Sequence, residues 1–201
     1  RVEHIGGSTA GSRDAYFTIE TDRRSFTTGM VINAAGNHSD EVARMADPEF
    51  PLRLYPCRGE YHIIDKEYSQ RLRMAVYPVP PQDGSGLGVH LTPTMNGNIL
   101  IGPSTEYIEG REDSATTEST MQLLLNEAFE LMPTLKGAQV IRSYAGIRPK
   151  LFHPSSGVSF ADFHIDESSS LPGMINLVGI ESPGLTASPA IADYVRNRFI
   201  A

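Results

Sequence analysis

The sequence predicts a mixed α/β and α+β fold, with a mainly antiparallel β-sheet between two α/β pieces at the chain ends. Three observations lead there. Near each end an apolar run stops on small residues: Met30-Val31-Ile32-Asn33-Ala34-Ala35-Gly36, and Met174-Ile175-Asn176-Leu177-Val178 before Gly179. A run that is apolar without alternation suits a strand buried on both faces, as in a parallel sheet. Between the two runs, residues 51–103 read as short strands broken by prolines and tight turns. A single long amphipathic segment follows them.

The elements follow in chain order. Residues 15–20 alternate, 21–24 turn, and 25–28 resume as a second strand. The run at 30–36 is a strand, and 39–46 fits a short helix before Pro48. Strands are expected at 61–64 and 74–79. Residues 87–94 and 98–101 flank Asn96-Gly97, the signal of a two-residue hairpin turn. Within the first of these, Val89 and Leu91 share one face, and His90 and Thr92 share the other. Met121, Leu124, Leu125, Ala128 and Met132 give helical spacing over 116–132, with Asp113 or Ser114 as cap and Pro133 at the end. A strand over 139–145 leads into Gly146-Ile147-Arg148-Pro149-Lys150. The chain closes with a strand at 174–180 and a helix from 185 to 199, Pro189 sitting in that helix's first turn. This order divides the chain into segments 1–48, 49–145 and 146–201.

Composition narrows the function. Apolar residues make up 40% of the 201 and charged residues 20%, ordinary for a soluble globular chain, and the formal net charge is −7. That charge disfavours a general binder of nucleic acid or anionic membrane, while leaving room for a local basic site. No apolar stretch approaches the roughly 20 residues that span a bilayer. Cys57 is the single cysteine, so no intramolecular disulfide forms and a cytoplasmic setting is the default expectation. Six histidines occur, none at ligand spacing with another, so no metal site is expected.

Among the motifs, Gly84-Ser85-Gly86-Leu87-Gly88 looks like a phosphate loop but lacks the strand before it and helix after it, so it reads as a plain loop. His90 taken alone is an ordinary partly exposed histidine. Arg148 lies between Gly146 and Pro149 at a strand end, where a guanidinium could bind a carboxylate bidentately, with Lys150 as a second cation. The last strand-to-helix turn, Gly179-Ile180-Glu181-Ser182-Pro183-Gly184-Leu185-Thr186, gathers small residues and backbone N–H groups at a helix start. Such a start attracts negative charge.

Five stretches occur in order: Val31–Gly36, Arg58-Gly59-Glu60-Tyr61, Leu87-Gly88-Val89-His90-Leu91-Thr92-Pro93, Ala145-Gly146-Ile147-Arg148-Pro149, and Gly179–Thr186. Together they resemble the C-terminal half of FAD-dependent oxidoreductases of the D-amino-acid oxidase superfamily, nearest its L-2-hydroxyglutarate dehydrogenase/oxidase branch. The resemblance implies part of a Rossmann-like FAD-binding domain plus a substrate domain over 49–145. It implies that Ala34, Ala35, Gly36, Gly179, Ser182, Gly184, Leu185 and Thr186 approach FAD, the last turn facing the flavin ring. Arg148 would bind the substrate carboxylate and His90 would take the hydroxyl proton, with Arg58, Tyr61 and Lys150 lining the pocket. The implied substrate is a small carboxylate of 2-hydroxyglutarate type. Amine oxidation of glycine or sarcosine type and glycerol 3-phosphate oxidation are the alternatives. A binding module without cofactor is the reading from another class.

The family's N-terminal Gly-x-Gly-x-x-Gly loop does not occur in these residues. The expectation is therefore a fragment that by itself binds FAD weakly or not at all and is inactive alone. Apolar sheet edges would favour self-association. A quinone acceptor would allow peripheral membrane contact.

Overall fold

A computed structural model describes residues 1–7, 16–79, 88–158 and 161–200. Gly84-Ser85-Gly86-Leu87 lies outside the described residues, so the reading of that loop stays with the sequence. The elements run β1 (Val2–Gly7), β2 (Phe17–Thr21), β3 (Ser25–Thr28), β4 (Val31–Asn33), α1 (Ser39–Ala46), β5 (Tyr55–Ile64), β6 (His90–Pro93), β7 (Ile99–Gly102), β8 (Glu106–Tyr107), α2 (Glu118–Leu131), β9 (Val140–Lys150), β10 (His164–Glu167), β11 (Met174–Val178) and α3 (Gly184–Val195). They group into two compact units, one of residues 1–55, 149–153 and 161–201, the other of 56–148 and 154–160. Mixed α/β character with antiparallel sheets is therefore the observed fold.

In the first unit, β1, β2 and β3 form an antiparallel meander. A second sheet runs β10-β11-β4, with β10 antiparallel and β4 parallel to β11. Met174, Ile5 and Phe17 centre the core, and Val31, Val42 and Met45 pack on it. The carboxylate of Asp40, fully buried in α1, accepts from Arg44 at 2.6 Å and from the Leu54 N–H at 3.0 Å, which anchors the following segment. The expectation that β4 is buried on both faces fails at Ile32, which is 45% exposed. It lies at the edge of a three-stranded sheet, where Val31 faces the core and Ile32 turns away.

The second unit is a five-stranded antiparallel sheet with α2 on one face. β7 and β8 pair in succession along β5, β9 pairs with it too, and β6 lies outside β7. Ile64, Leu91, Ile99 and Ile101 meet Leu124, Leu125 and Ala128 of α2 to make the core. Val89 and Leu91 are buried on that face and His90 and Thr92 lie on the other, as their alternation requires.

Several boundaries differ from expectation for physical reasons. The 74–79 strand reduces to one bridge, Val76 with Leu91, because Pro78 has no N–H to extend a ladder. Met74, Tyr77 and Val79 are left exposed. The Asn96-Gly97 hairpin forms, but Thr94 N–H bonds to Asn98 O at 2.8 Å around a three-residue loop. Only Gly97 has positive φ, at 84°, whereas a type I′ turn needs two such residues. Thr117, not Asp113 or Ser114, caps α2, its hydroxyl accepting from the Thr120 N–H at 3.2 Å. β9 continues through Arg148 to Lys150 rather than stopping at 145. Pro189 sits in the interior of α3, not its first turn. The Leu185 carbonyl that Pro189 cannot serve accepts instead from the Ser188 hydroxyl at 2.8 Å.

Candidate active site

The candidate residues fall into two groups, one in each unit. In the second unit, strand alternation sorts β5: Arg58, Glu60, His62 and Ile64 turn toward α2 and its start, while Gly59 and Tyr61 turn to the opposite face. His90 lies on that opposite face, paired across the ladder with Gly102. Tyr61 stands beside Gly102 on the next strand: a Cβ on Gly102 would lie 2.6 Å from Glu60 O and 2.9 Å from Tyr61 Cδ1. Glycine is needed there, because φ is 138° and no side chain fits between the strands. The Tyr144 ring of β9 stacks on Tyr61, with centroids 5.3 Å apart and planes at 12°. His90, Gly102, Tyr61 and Tyr144 thus form one row across four strands.

Arg148 is four residues beyond Tyr144 on the same face of β9, with Gly146 between them. Its Nη2 donates to Ser104 O at 2.9 Å and rests over Gly59, 3.3 Å from where a Cβ would stand. Its Nε is buried without a hydrogen-bond partner. The guanidinium is held from one side, with donor capacity remaining. The His90 ring packs on Tyr77, and its Nδ1 lies 2.7 Å from Gly88 O. A carbonyl only accepts, so Nδ1 carries the proton and Nε2 of the neutral ring carries the lone pair. That is the tautomer a general base requires.

Arg58 is brought to the other face. It is 6% exposed and pairs with Glu106 at 2.7 Å and Asp113 at 3.1 Å. The hydrogen bond to Glu106 holds its pKa above the usual arginine value. Both terminal nitrogens are committed, so Arg58 braces β5 against β8 and the segment before α2. Glu60 and His62, fully buried beside it, were not singled out from the sequence. Polar residues in alternation, as at 58, 60 and 62, read as a solvated face. Here that face lies beneath the start of α2, where Glu60 accepts from Thr117 N–H at 2.9 Å. His62 Nδ1 meets Ser143 Oγ at 2.8 Å, and its Nε2 has no partner. Burial pushes the His62 pKa down, opposed by the charge of Glu60. Tyr144 was also missed, although strand alternation counted back from Arg148 finds it. Burial and then the neighbouring Tyr61 raise its phenol pKa.

In the first unit, β4 and β11 run parallel as neighbours, so their C-terminal ends emerge at the same edge. Asn33 fixes the first end: its Nδ2 donates to Ser39 O at 2.7 Å and Asn176 Oδ1 at 2.9 Å, and its Oδ1 accepts from the Ala35 N–H at 3.3 Å. Ala34, Ala35 and Gly36 are left exposed there. From the second end the chain turns through Gly179, packed so closely that a Cβ would lie 2.5 Å from Leu151 Cγ. It then starts α3 at Gly184, with Ser182, Leu185 and Thr186 exposed. The first i→i−4 bond runs from Ala187 N–H to Pro183 O, leaving the N–H groups of Leu185 and Thr186 without a partner among the described residues. Lys150 also falls in this unit, its Nζ 2.8 Å from Glu181 Oε1. Small residues, bare N–H groups and parallel strand ends form a donor set that suits the phosphate or ring oxygens of a dinucleotide cofactor.

A cavity of about 540 Å³ lined by Met121, Leu125 and residues 139–143 contains none of the candidate residues. Among the described residues no group of three or more His, Cys, Asp or Glu could hold a metal ion, and no helix is long and apolar enough to cross a membrane.

The fold is mixed α/β with antiparallel sheets, and in its first unit two parallel strand ends lie beside a helix start with bare N–H groups. The family model DAO, "FAD dependent oxidoreductase", matches residues 1–198, and the chain belongs to that family. It is 35% identical over 185 residues to an L-2-hydroxyglutarate dehydrogenase, mitochondrial, of Arabidopsis thaliana, spanning 85% of this chain and 38% of the relative. It is 32% identical over 183 residues to a glycerol 3-phosphate dehydrogenase of Caloramator mitchellensis, spanning 91% and 36%. Among solved structures, the dithionite-reduced L-alpha-glycerophosphate oxidase of Mycoplasma pneumoniae with FAD bound superposes with TM-score 0.76 at 27% identity, covering 98% of this chain and 49% of that one. The chain therefore spans well under half the length of these two curated relatives.

Proposed function

We propose that the native protein oxidises a small 2-hydroxy acid, a dicarboxylate of 2-hydroxyglutarate type, with FAD as the hydride acceptor. In this reading the first unit belongs to the FAD-binding domain and the second is the substrate domain. The observation that carries it is His90 in the base-competent tautomer on the same sheet face as an Arg148 with unspent donors. The likeness to an L-2-hydroxyglutarate dehydrogenase supports the choice of substrate.

Arg148 anchors the substrate carboxylate, its guanidinium already oriented by Ser104 O. His90 Nε2 accepts the hydroxyl proton while the Cα–H bond breaks and the carbonyl forms, so the substrate loses one proton and one hydride. Tyr61 and Tyr144 form the wall between base and anchor. FAD, when bound, supplies the two-electron acceptor. Ala34, Ala35, Gly36, Gly179, Ser182 and Gly184 would admit it closely, having little or no side chain in the way. The bare N–H groups of Leu185 and Thr186 and the α3 dipole would favour negative charge on the bound group.

A second reading, oxidation of glycerol 3-phosphate with Arg148 on the phosphate, is favoured by the likeness to enzymes of that substrate. One experiment separates the readings. The native-length protein is purified with FAD, and L-2-hydroxyglutarate, glycerol 3-phosphate and glycine are added separately without oxygen. Bleaching of the flavin band by the hydroxy acid alone is the expected result. Bleaching by another substrate moves the assignment to that substrate, and a colourless protein after added FAD refutes the flavoenzyme.

A further inference from the structure

Resting on the flavoenzyme reading, we propose that Lys150 is a positioning residue for the turn before α3, acting through Glu181 and not on substrate. The Lys150–Glu181 pair is 2.8 Å long, and its side chains keep only 31% and 20% of their exposure. Glu181 is the residue around which the turn closes. Its N–H donates to Gly179 O at 2.9 Å, and its carbonyl accepts from the Gly184 N–H. The backbone of Glu181 is thus tied on both sides, and Lys150 ties its side chain. Gly184 opens α3, and the bare N–H groups of Leu185 and Thr186 follow immediately. Any movement of Glu181 is carried straight to those donors.

Charge gives the pair a second role. An unpaired Glu181 carboxylate three residues before the helix would oppose negative charge at the helix start. Lys150 cancels it, and the pair leaves the positive end of the α3 dipole unopposed. Removing either partner changes the local charge in opposite directions. A lysine that merely lined a substrate pocket would produce no such antisymmetry.

The test uses the native-length, FAD-loaded protein with Lys150→Met, Glu181→Gln, the double variant and Lys150→Arg. FAD dissociation constant, flavin midpoint potential and KM for the 2-hydroxy acid are measured on each. Lys150→Met is expected to weaken FAD about tenfold, the scale of losing one favourable charged contact, and to lower the midpoint potential. Glu181→Gln is expected to raise that potential, the double variant to return it toward wild type, and Lys150→Arg to keep both properties. A raised KM with unchanged FAD affinity and potential in Lys150→Met would make Lys150 a substrate ligand and overturn the proposal. So would potential shifts of the same sign in the two single variants. Wild-type protein that takes up no FAD sinks the flavoenzyme reading and this proposal with it; wild type that binds FAD with an indifferent Lys150→Met sinks this proposal alone.

Discussion

Gly102→Ala tests whether the row from His90 to Tyr144 is built as described. The added methyl would stand 2.6 Å from Glu60 O, 2.9 Å from Tyr61 Cδ1 and 3.2 Å from Tyr61 Cα. Two of these atoms are backbone, so no rotamer change relieves the contact. Overpacking of that kind costs about 1–3 kcal/mol. The positive φ of 138° adds about 1–3 kcal/mol for any L side chain. The sum, about 2–6 kcal/mol, is a large share of a typical domain's stability. At a urea m-value of about 2 kcal/mol/M it lowers the midpoint by about 1–3 M.

The control is Gly146→Ala. It lies on the same face between Tyr144 and Arg148, has no positive φ, and its Cβ would meet nothing within 4 Å. Its urea midpoint should stay at wild type or rise slightly, since alanine narrows the unfolded ensemble. If this face receives substrate, the same methyl raises KM without disturbing the fold. Urea unfolding of both variants followed by circular dichroism decides the matter. Equal destabilisation by the two substitutions, or a Gly102→Ala midpoint within error of wild type, would refute the strand placement argued here.

Two further outcomes follow from individual polar groups. The folded-state pKa of His62 lies below its ordinary value of about 6.5, so between the two values the unfolded chain holds more protons and stability rises with pH. Acidification below about pH 6.5 should lower the melting temperature, and His62→Gln should flatten that slope; an unchanged slope assigns it elsewhere. In α3, Ser188→Ala removes the hydroxyl that donates to a carbonyl Pro189 cannot serve, which should cost about 0.5–1 kcal/mol at this exposed site. In a Pro189→Ala background the same change should be nearly neutral, and additive unfolding energies would disprove the substitution of one donor for the other.

The sequence was most informative where local rules act alone. Helix α1 coincides with the expected 39–46, because its punctuation by Pro48 is a local property. The alternation placing Val89 and Leu91 opposite His90 holds because it follows from strand geometry. What local rules missed was decided across the fold. Arg58 was expected at the substrate, yet Glu106 and Asp113, some 50 residues away in sequence, draw it beneath the opposite face. Lys150 stands two residues from Arg148 on one strand, yet it falls in the other unit and meets Glu181, 31 residues further on. In both cases the residue type was right for binding an anion, and the anion turned out to be a carboxylate of the chain itself. Both arginines bury an Nε without a partner, so the difference lies at the terminal nitrogens: Arg58 spends both on carboxylates, whereas Arg148 engages only Nη2, which is why the proposed anchor is Arg148 and not Arg58.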